Sequence, residues 1–540
     1  MDRLSRWSHS VHGSAQAVRQ TADDLLLLAR LARDAPRFLR SPLGVAEARV
    51  RVRRWLVTRQ QRFLFVVERA IYGYPRSPYL QLLRHAGYEL GDVQALVAHE
   101  GVEGALERLA ADGVYVTFEE LKGRRVAIRG GQRFAFRERD FDNPLFAPHF
   151  AVYTGGTRGR PSQVRRSLAF VDEIATSTAV GFDAHGVADP HLVFWLFIPT
   201  QWLLTFAKLG HPVVGWFYPL RPLPVRARLG ARYLELLGRL GGHRFPPPRF
   251  CDLQQTDHLA HWLARGLGKR GQIVVLTTVS SATRIAISAR AAGLSLEGVT
   301  FSGGGEPLTE GRRRHIEASG AGVFATYAAN ELTAAASGCA TPAAADDVHF
   351  FDDRNAVIVR PRALPDGGPV VDAMHFSSVS PRGPKILLNA DLGDYAWVER
   401  RDCGCALGQL GLRTHLSHIR SFEKLSGEGT TFARTNLEYI LEEVLPARCG
   451  GSSMDYQLLE EEADDSATRL VLRVHPSIGA LDEAAVRTAL LTEIERGSVV
   501  DRYQARLLGR VGAVVISRQP PLPTRGGKIL PFHLVARAEN

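Results

Sequence analysis

The segment Gln272-Ile-Val-Val-Leu-Thr-Thr278 is an apolar run of strand length, and it opens the part of the chain that decides the fold. A helical pattern follows it and stops at Gly293, and a second short strand is predicted over Val299–Ser302. A second helix starts near Thr309, and Gly322–Tyr327 is predicted as a third strand. This β-α-β-α-β order predicts a parallel sheet with right-handed crossovers.

Ligands of such sheets bind beyond the carboxyl ends of the strands. Two loops of this chain follow predicted strand ends, namely Gly303–Pro307 and Ala328–Glu331. The sequence therefore predicts the ligand site at these two loops.

The pattern differs on either side of this segment. Residues 1–112 carry apolar positions at helical spacing and are predicted to be mostly helical. Further strand-like runs lie downstream at 356–360, 370–376 and 386–389.

A smaller α+β unit is predicted to begin at about residue 433. Its strands are expected over Leu470–His475 and Gly512–Ser517, and an amphipathic helix over Leu481–Glu495. The chain is therefore expected to contain a large α/β part followed by a small C-terminal one.

Composition sets further limits. With 540 residues the chain is long enough for two or three domains, and its 45% hydrophobic and 23% charged fractions are typical of a soluble globular protein. No signal peptide is recognised at its start. The most apolar segment, His191–Leu220, is interrupted by prolines and Lys208, which favours buried core or a pocket lining over a membrane span. The five cysteines favour a reducing compartment, and a cytoplasmic location is expected.

The net charge of +11 is concentrated near the N-terminus, where residues 1–60 contain 12 arginines and 5 acids. Such a segment could be a basic arm that contacts nucleic acid or an anionic surface, or an ordinary solvated helix face. The second interpretation is favoured because aromatic residues are not interleaved with the basic ones, so no nucleic-acid partner is expected. Only six basic residues are lysines (122, 208, 269, 385, 424 and 528), so a lysine at a chemically demanding position stands out.

The glycine-rich segment Thr154-Gly-Gly-Thr-Arg-Gly-Arg-Pro161 is the first candidate for chemistry. Glycines let backbone N–H groups approach a polyphosphate, and threonine hydroxyls and arginine side chains add donors. The segment is not a Walker loop, because no Gly-Lys-Ser/Thr ends it. Taken alone, it is equally well an ordinary turn between two elements.

Four further motifs follow it in order. They are Ser302-Gly-Gly-Gly-Glu-Pro-Leu308, Tyr327-Ala-Ala-Asn-Glu331, Gly393-Asp394 and Leu522-Pro-Thr-Arg-Gly-Gly-Lys-Ile529. In order and rough spacing over residues 145–535, the five motifs resemble those of the adenylate-forming superfamily of acyl-CoA synthetases, adenylation domains and luciferases. Within that superfamily the chain looks most like the phenylacetate–CoA ligase group and its coenzyme F390 synthetase-like relatives.

This resemblance implies an ATP-dependent ligase. Such an enzyme uses ATP and Mg²⁺ to convert a small carboxylic acid into an acyl-AMP and pyrophosphate, and then passes the acyl group to coenzyme A. The implied fold class is α/β. A large N-terminal domain with a helical N-terminal region and mixed or parallel sheets is followed by a small, mobile C-terminal α+β domain.

The resemblance also implies roles for individual residues. The catalytic set is Lys528, Glu331 and Thr157, with Glu331 as the Mg²⁺ ligand and Lys528 bridging carboxylate and phosphate oxygens. Tyr327 would stack on adenine, and Asp394, assisted by Arg420, would bind the ribose hydroxyls. The remaining nucleotide-binding residues are Thr154, Gly155, Gly156, Gly159, Gly303, Gly304, Gly305, Glu306, Pro307 and Asn330.

The segment Ile419–Gly429 occupies the place of the family's hinge, about which relatives rotate the small domain after adenylation. The implied domain boundaries follow from it. They are 1–112 for the helical part of the large domain, 113–422 for the adenylate-forming core, 423–432 for the hinge and 433–540 for the small lid domain.

Cys339, His349, Cys403 and Cys405 form a separate set. Three thiols and one imidazole suit a closed, tetrahedral zinc site. Some phenylacetate-ligase relatives carry a structural zinc built from a similar set, so a structural Zn²⁺ is expected. The alternative is four unrelated residues, since Cys-x-Cys spacing is less diagnostic than Cys-x-x-Cys.

Two other functions stay open. The acyl-AMP could be passed to an amine or to a carrier-protein thiol instead of coenzyme A. The chain could also be a nucleotide-binding protein that has lost catalysis, because Gly155 and Arg158 stand where the family has Ser and Thr. The aromatic residues of 194–218 suit an apolar or aryl acid, but they name no particular acid. The oligomeric state is not predicted.

Overall fold

The computed structural model describes most of the chain between residues 23 and 534. The described ranges are 23–153, 163–196, 199–218, 225–251, 256–332, 334–363, 370–421, 426–427, 430–431, 437, 439–452, 455–462, 468–496, 502, 505–506, 508–510, 512–522 and 532–534. The glycine-rich segment 154–162, most of the predicted hinge and Lys528 therefore lie outside the described residues.

Helices dominate the first part of the chain, as the sequence predicts. They are α1 (23–39), α2 (Val45–Val57), α3 (Arg59–Val66), α4 (Pro78–His85), α5 (Leu90–Ala111) and α6 (Phe118–Leu121), with a π-helical stretch over Val67–Tyr72. Helix α5 is kinked at Gly101, whose φ of 76° lies in the left-handed region that glycine adopts without strain.

The remaining helices are α7 (Leu168–Ala184), α8 (Thr200–Lys208), α9 (Val225–Leu240), α10 (Thr256–Arg270), α11 (Val279–Ala291), α12 (Glu310–Glu317), α13 (Ala406–Gln409), α14 (Leu445–Cys449) and α15 (Glu483–Glu495). Short 3₁₀ or π-helical turns lie at Glu138–Phe141, Ile440–Val444 and Pro476–Ile478. Among the described residues, no helix is both long enough and apolar enough to cross a membrane.

The strands of the large part are β1 (Ala127–Arg129), β2 (Gln132–Phe134), β3 (Phe150–Tyr153), β4 (Gln163–Arg166), β5 (His191–Trp195), β6 (Val213–Tyr218), β7 (Arg249–Phe250), β8 (Ile273–Thr278), β9 (Val299–Gly304), β10 (Gly322–Tyr327), β11 (Ala336–Gly338), β12 (Val348–Phe350), β13 (Asn355–Ala363), β14 (Val370–Ser378), β15 (Ala390–Arg400) and β16 (Thr414–Ser421). The later strands are β17 (Ser426–Gly427), β18 (Thr430–Thr431), β19 (Tyr456–Glu462), β20 (Thr468–Val474), β21 (Val514–Ser517) and β22 (Phe532–Leu534).

One sheet of 12 strands forms the centre of the molecule, in the order β13-β14-β15-β16-β12-β11-β10-β9-β8-β5-β6-β7. The half from β10 to β7 is parallel, and the half from β13 to β10 is antiparallel. The predicted segments appear in it as β8, α11, β9, α12 and β10, and Thr309 caps α12 by accepting a hydrogen bond from the backbone of Arg312. The expected mixed α/β class is confirmed.

The parallel strands are apolar on both faces because each face is covered. Along β5, Val193 and Trp195 belong to one hydrophobic core, whereas Leu192 and Phe194 belong to another. Successive side chains of a strand point to opposite faces, so the two cores lie on the two sides of the sheet. A strand buried on both sides reads as a continuous apolar run, which explains the signal seen in Gln272–Thr278.

The N-terminal helices are tied to the sheet domain partly by charge. In α2, Arg49 pairs with Asp183 at 2.5 Å and Arg51 pairs with Asp172 at 2.8 Å, and both acids lie on α7. Part of the N-terminal positive charge is therefore neutralised by ion pairs within the protein.

The strand predicted over 386–389 is wrong. This segment is buried but irregular, and β15 begins only after it. Asn389 has a φ of 53°, and its backbone N–H donates to the hydroxyl of Ser377 (2.8 Å) rather than to a strand carbonyl. Its side-chain amide donates to the carbonyls of Leu106 (2.8 Å) and Val114 (3.1 Å). The apolar run reflects burial, which periodicity cannot separate from strand structure in so short a segment.

The C-terminal part has its own sheet and its own core. The sheet has the strand order β21-β20-β19-β22, in which β19 and β20 are antiparallel. Residues between Leu437 and Ile516, including Leu490 of α15, form a hydrophobic cluster separate from the two large ones. A separate core is what defines a domain, so the small C-terminal α+β part of the predicted fold is confirmed.

Candidate active site

Three parallel strands end side by side at one edge of the central sheet, where the sequence places the ligand. Thr278 of β8 lies opposite Gly304 of β9, and Gly303 lies opposite Ala325 of β10. A Cβ added to Gly304 would lie 2.8 Å from Oγ1 of Thr326, so a side chain there would push the strands apart. Glycine at this position keeps the backbone of the following loop close to its neighbour.

The Gly303–Pro307 loop is held in place by the carboxylate of Glu306. This carboxylate accepts hydrogen bonds from the backbone N–H (2.8 Å) and the hydroxyl (2.6 Å) of Ser280, and it pairs with Arg312 at 2.9 Å. The side chains of Glu306 and Arg312 are 0% and 3% exposed. Glu306 therefore uses its charge within the protein, and only its backbone is left for the predicted contact with a nucleotide.

Tyr327 and Asp394 are in direct contact. The Tyr327 hydroxyl, at the end of β10, donates to Oδ2 of Asp394 on β15 at 2.9 Å. Burial raises the pKa of Tyr327 well above its usual value, and the nearby charges of Asp394 and Glu331 raise it further. The Tyr327 ring stacks on Phe376, with 6.1 Å between ring centroids and an interplanar angle of 29°. The predicted adenine and ribose residues thus form one hydrogen-bonded pair.

Glu331 is buried in an ion pair that the sequence did not predict. Lys122 Nζ, just after α6, lies 2.8 Å from Oε1 of Glu331 and 2.6 Å from Oε1 of Glu138. Burial alone would raise the pKa of Glu331, but the charge and hydrogen bond of Lys122 outweigh it and hold that pKa below its usual value. Glu331 is therefore ionised, and its position depends on a lysine 209 residues earlier in the chain.

Arg166, at the end of β4, is a second residue that the sequence did not single out. Its guanidinium donates to Oε1 of Gln201 in α8, and at 3.0 Å to the backbone carbonyl of Asn330. Burial lowers the pKa of Arg166 to about 9, although the negative charge of Glu331 acts in the opposite direction. The Ala328–Glu331 loop is therefore fixed from two sides, by Lys122 at Glu331 and by Arg166 at Asn330.

Arg420 contacts a different acid from the one expected. Its guanidinium lies 3.2 Å from Oδ2 of Asp346, and it also donates to the carbonyl of Ile419 at 2.8 Å. In β16, Arg420 is paired in register with Tyr395, next to Asp394 in β15. The assistance to Asp394 that the sequence implies stays a prediction.

The four residues expected to bind zinc come together. The ligand atoms of Cys339, His349, Cys403 and Cys405 all lie within 4.8 Å of one another. Nε2 of His349 is 3.1 Å from Sγ of Cys405 and 3.4 Å from Sγ of Cys403. A tetrahedral zinc site separates its ligand atoms by about 3.5 Å, so these distances suit such an ion.

The surroundings of this cluster also suit a metal. Nδ1 of His349 lies 2.8 Å from the carbonyl of Leu412, which fixes the proton on Nδ1 and leaves the lone pair of Nε2 facing the cysteines. The hydrogen bond between Cys339 and Cys405 lowers the pKa of Cys405 and raises that of Cys339. A Cβ on Gly408 would lie 3.2 Å from Sγ of Cys403, so the loop carrying Cys403 and Cys405 is tightly packed.

No family model and no curated protein sequence matches this chain. Solved structures do match it. A 2-hydroxyisobutyryl-CoA ligase in complex with 2-HIB-AMP and CoA, in its thioesterification state, superimposes with a TM-score of 0.53 and 16% sequence identity. That match covers 88% of this chain and 89% of the ligase. The chain has the adenylate-forming fold.

More distant similarities involve other ligase structures. The same ligase in its postadenylation state matches with a TM-score of 0.43, at 16% identity and with 92% and 91% of the two chains covered. A double mutant of o-succinylbenzoate CoA synthetase from Bacillus subtilis matches with a TM-score of 0.41, at 13% identity and with 72% and 69% covered.

Within this adenylate-forming fold, part of the predicted site lies among the described residues. The described structure brings Tyr327, Glu331 and Asp394 together at the carboxyl ends of the parallel strands. Thr154, Gly155, Gly156, Thr157, Gly159 and Lys528 lie outside the described residues, so their roles remain predictions. Of the residues that sequence reasoning missed, Lys122 carried one signal, since the chain has only six lysines.

Proposed function

We propose that this protein activates a carboxylic acid with ATP and transfers the acyl group to coenzyme A. The observation that carries the proposal is the meeting of Tyr327, Glu331 and Asp394 at the sheet edge of an adenylate-forming fold. A ligase of the same fold is bound to 2-HIB-AMP and CoA, which supports an acyl-AMP intermediate and a CoA acceptor here.

In the first half-reaction, a carboxylate oxygen attacks the α-phosphorus of ATP and pyrophosphate leaves. The two reactants are both anions, so positive charge and hydrogen-bond donors must be placed where they meet. Glu331 would bind Mg²⁺, which neutralises phosphate charge when it is bound with ATP. The ionised state of Glu331, maintained by Lys122, is what a Mg²⁺ ligand requires.

The nucleotide would be held by the remaining loops. Tyr327 offers an aromatic face for adenine, and Asp394 offers a carboxylate for the ribose hydroxyls, with its partner Tyr327 fixing its orientation. The backbone of Gly303–Pro307 would lie along the base, and residues 154–159 would hold the β- and γ-phosphates.

In the second half-reaction, the thiol sulfur of coenzyme A attacks the acyl carbonyl, AMP leaves, and the thiol proton is released. Lys528 would serve only the first half-reaction, because the small domain would then turn about the 423–432 hinge.

The five cysteines, all free of disulfides, fit a reducing compartment, and we include a cytoplasmic location in the proposal.

The Cys339–His349–Cys403–Cys405 cluster would hold a structural zinc. Four protein ligands leave no open coordination position, so the ion would stabilise the fold and take no part in the reaction. Some phenylacetate-ligase relatives carry a similar set, and the five ordered motifs look most like those of that group, so we propose that the chain lies nearest to it.

The test is acid-dependent exchange of radiolabelled pyrophosphate into ATP by the purified protein, screened over a library of apolar and aryl carboxylic acids. Exchange with at least one acid is expected, followed by formation of its CoA ester when coenzyme A is added. Exchange without ester formation would indicate an amine or a carrier-protein thiol as acceptor. Tight ATP binding without exchange by any acid would identify a nucleotide-binding protein and contradict the proposal.

A further inference from the structure

Arg166 carries a buried positive charge that has no role in the reaction as proposed so far. The residue is 4% exposed, and among the described residues its guanidinium has no carboxylate within salt-bridge distance. Its guanidinium donates hydrogen bonds to neutral oxygens of Gln201 and Asn330. The negative charge of Glu331 acts on it electrostatically, but the Glu331 carboxylate itself pairs with Lys122.

Two buried hydrogen-bond donors at this position also lack an acceptor among the described residues. In the described part of the chain, Nε of Arg166 and Nε2 of Gln201 are buried atoms without a hydrogen-bond partner. Burying such a donor without an acceptor costs free energy comparable to a lost hydrogen bond, and burying a charge without a counter-ion costs more. Gln201 is 4% exposed, and its side-chain carbonyl oxygen accepts a hydrogen bond from the guanidinium. Its NH₂ group is therefore the part that lacks an acceptor in the described structure.

The location of Arg166 indicates which anion would act as its counter-ion and accept these hydrogen bonds. Nη2 of Arg166 contacts Asn330, the residue directly before the proposed Mg²⁺ ligand Glu331. Strand β4, which carries Arg166, begins in the sequence directly after the glycine-rich segment. A metal ion at Glu331 would bring phosphate oxygens of its nucleotide to this side of the loop, and guanidinium groups recognise phosphate through paired N–H donors.

We propose that Arg166, with the amide of Gln201, is a phosphate-binding site for Mg²⁺–ATP. This inference rests on the proposed function and adds to it a residue that holds the triphosphate. The rival explanation is structural, since Arg166 joins β4 to α8 and to the loop after β10. A further rival is that Arg166 binds the carboxylate of the acid substrate.

The first experiment compares Arg166→Gln with Arg165→Gln. Arg165 is the matched control, because it lies on the same strand, carries the same charge and pairs with Asp23 at 2.8 Å away from the buried cluster. Equilibrium binding of Mg²⁺–ATP and of adenosine is measured for each protein. Arg166→Gln should weaken Mg²⁺–ATP binding by about 10- to 100-fold and leave adenosine binding within about twofold. Arg165→Gln should change neither.

The second experiment uses Gln201→Glu, which places a carboxylate of nearly the same shape on the guanidinium. If Arg166 only holds the fold together, this counter-ion should leave or raise the melting temperature and leave Mg²⁺–ATP binding unchanged. If Arg166 binds phosphate, the new carboxylate occupies the guanidinium and repels the triphosphate. Mg²⁺–ATP binding should then fall about 10-fold or more while the melting temperature is maintained.

Each result decides the proposal. Equal losses of Mg²⁺–ATP and adenosine binding in Arg166→Gln would assign a structural role and overturn it. Unchanged Mg²⁺–ATP binding in Arg166→Gln or in a folded Gln201→Glu protein would also overturn it, including the case in which Arg166 binds the acid. Failure of the unaltered protein to bind Mg²⁺–ATP would overturn the proposed function itself, and that result is seen before any variant is made.

Discussion

Lys122 and Glu331 show how much a single charge depends on its surroundings. Their side chains are 5% and 8% exposed, and Glu138, the other acid on Lys122, is 22% exposed. Removing one partner of a buried ion pair leaves an uncompensated charge and typically costs about 3–5 kcal/mol. Glu331 thus has a structural role in the ion pair as well as its proposed role at the metal, and the two have to be separated experimentally.

Comparing Glu331→Gln with Glu138→Gln separates the two roles. Both changes remove one negative charge from Lys122 while keeping the shape of the side chain. If Glu331 is the Mg²⁺ ligand, Glu331→Gln should raise the Mg²⁺ concentration needed for half-maximal pyrophosphate exchange by about 10-fold or more. Glu138→Gln should change it much less.

Mg²⁺ titrations of the exchange reaction, together with melting temperatures, provide the readout. Similar melting temperatures but different Mg²⁺ requirements are expected for the two variants. Equal Mg²⁺ requirements would mean that Glu331 acts only through Lys122 and that the metal ligand is another residue.

At the scale of elements, the cysteine–histidine cluster joins three separate pieces of the large domain. Cys339 follows β11, His349 lies in the middle of β12, and Cys403 and Cys405 lie in the loop between β15 and α13. The first two pieces are strands of three residues, and the loop with the two cysteines leads from the 11-residue strand β15 into a helix of four residues. A metal ion bound by all four ligands would therefore tie this loop to the two short strands of the sheet.

Elemental analysis of the purified protein should accordingly find about one zinc per chain. Cys403→Ser should lose the metal and lower the melting temperature, because three ligands bind zinc more weakly than four. Cys449→Ser is the matched control, since Cys449 is a partly buried free cysteine of the small domain. A metal-free protein whose melting temperature is insensitive to chelators would show the cluster to be accidental.

At the scale of the whole molecule, the two parts of the chain have separate cores. The cluster between Leu437 and Ile516 shares no residue with the two cores of the large part. Because it needs no contact with the large part to bury its apolar side chains, the small part can keep its structure in more than one position. This independence is what the proposed rotation between the half-reactions requires.

Lys528 provides the test of that rotation. Lys528→Ala should lower acyl-AMP formation by about 100-fold or more, because it removes a cation from between two anionic reactants. Thiolysis of supplied acyl-AMP should be affected much less, since Lys528 would then be turned away from the site. Arg525→Ala, in the same segment, controls for a general loss of positive charge. Equal losses in both half-reactions of Lys528→Ala would argue against rotation.

Local pattern was sufficient to predict much of the fold. The order β8-α11-β9-α12-β10 and the position of β20, α15 and β21 follow from apolar periodicity and from stop residues, which act over a few residues. The pattern did not show that residues 386–389 are irregular, because Asn389 is held by carbonyls of residues 106 and 114, which are remote in the sequence.

The sequence by itself determined the class of the fold, the loops proposed to form the site, and the identity of Tyr327, Glu331, Asp394 and the four cysteine and histidine residues as candidates. Only the tertiary structure decided which charged side chains are paired within the protein and which could face a ligand. It pairs Glu331 with Lys122 across 209 residues, and it places Arg166 against Asn330 across 164. It also turns the carboxylate of Glu306 inward to Arg312. The physical reason is that motifs record local backbone requirements, whereas the state of a buried charge depends on partners that only the folded chain brings within hydrogen-bond distance.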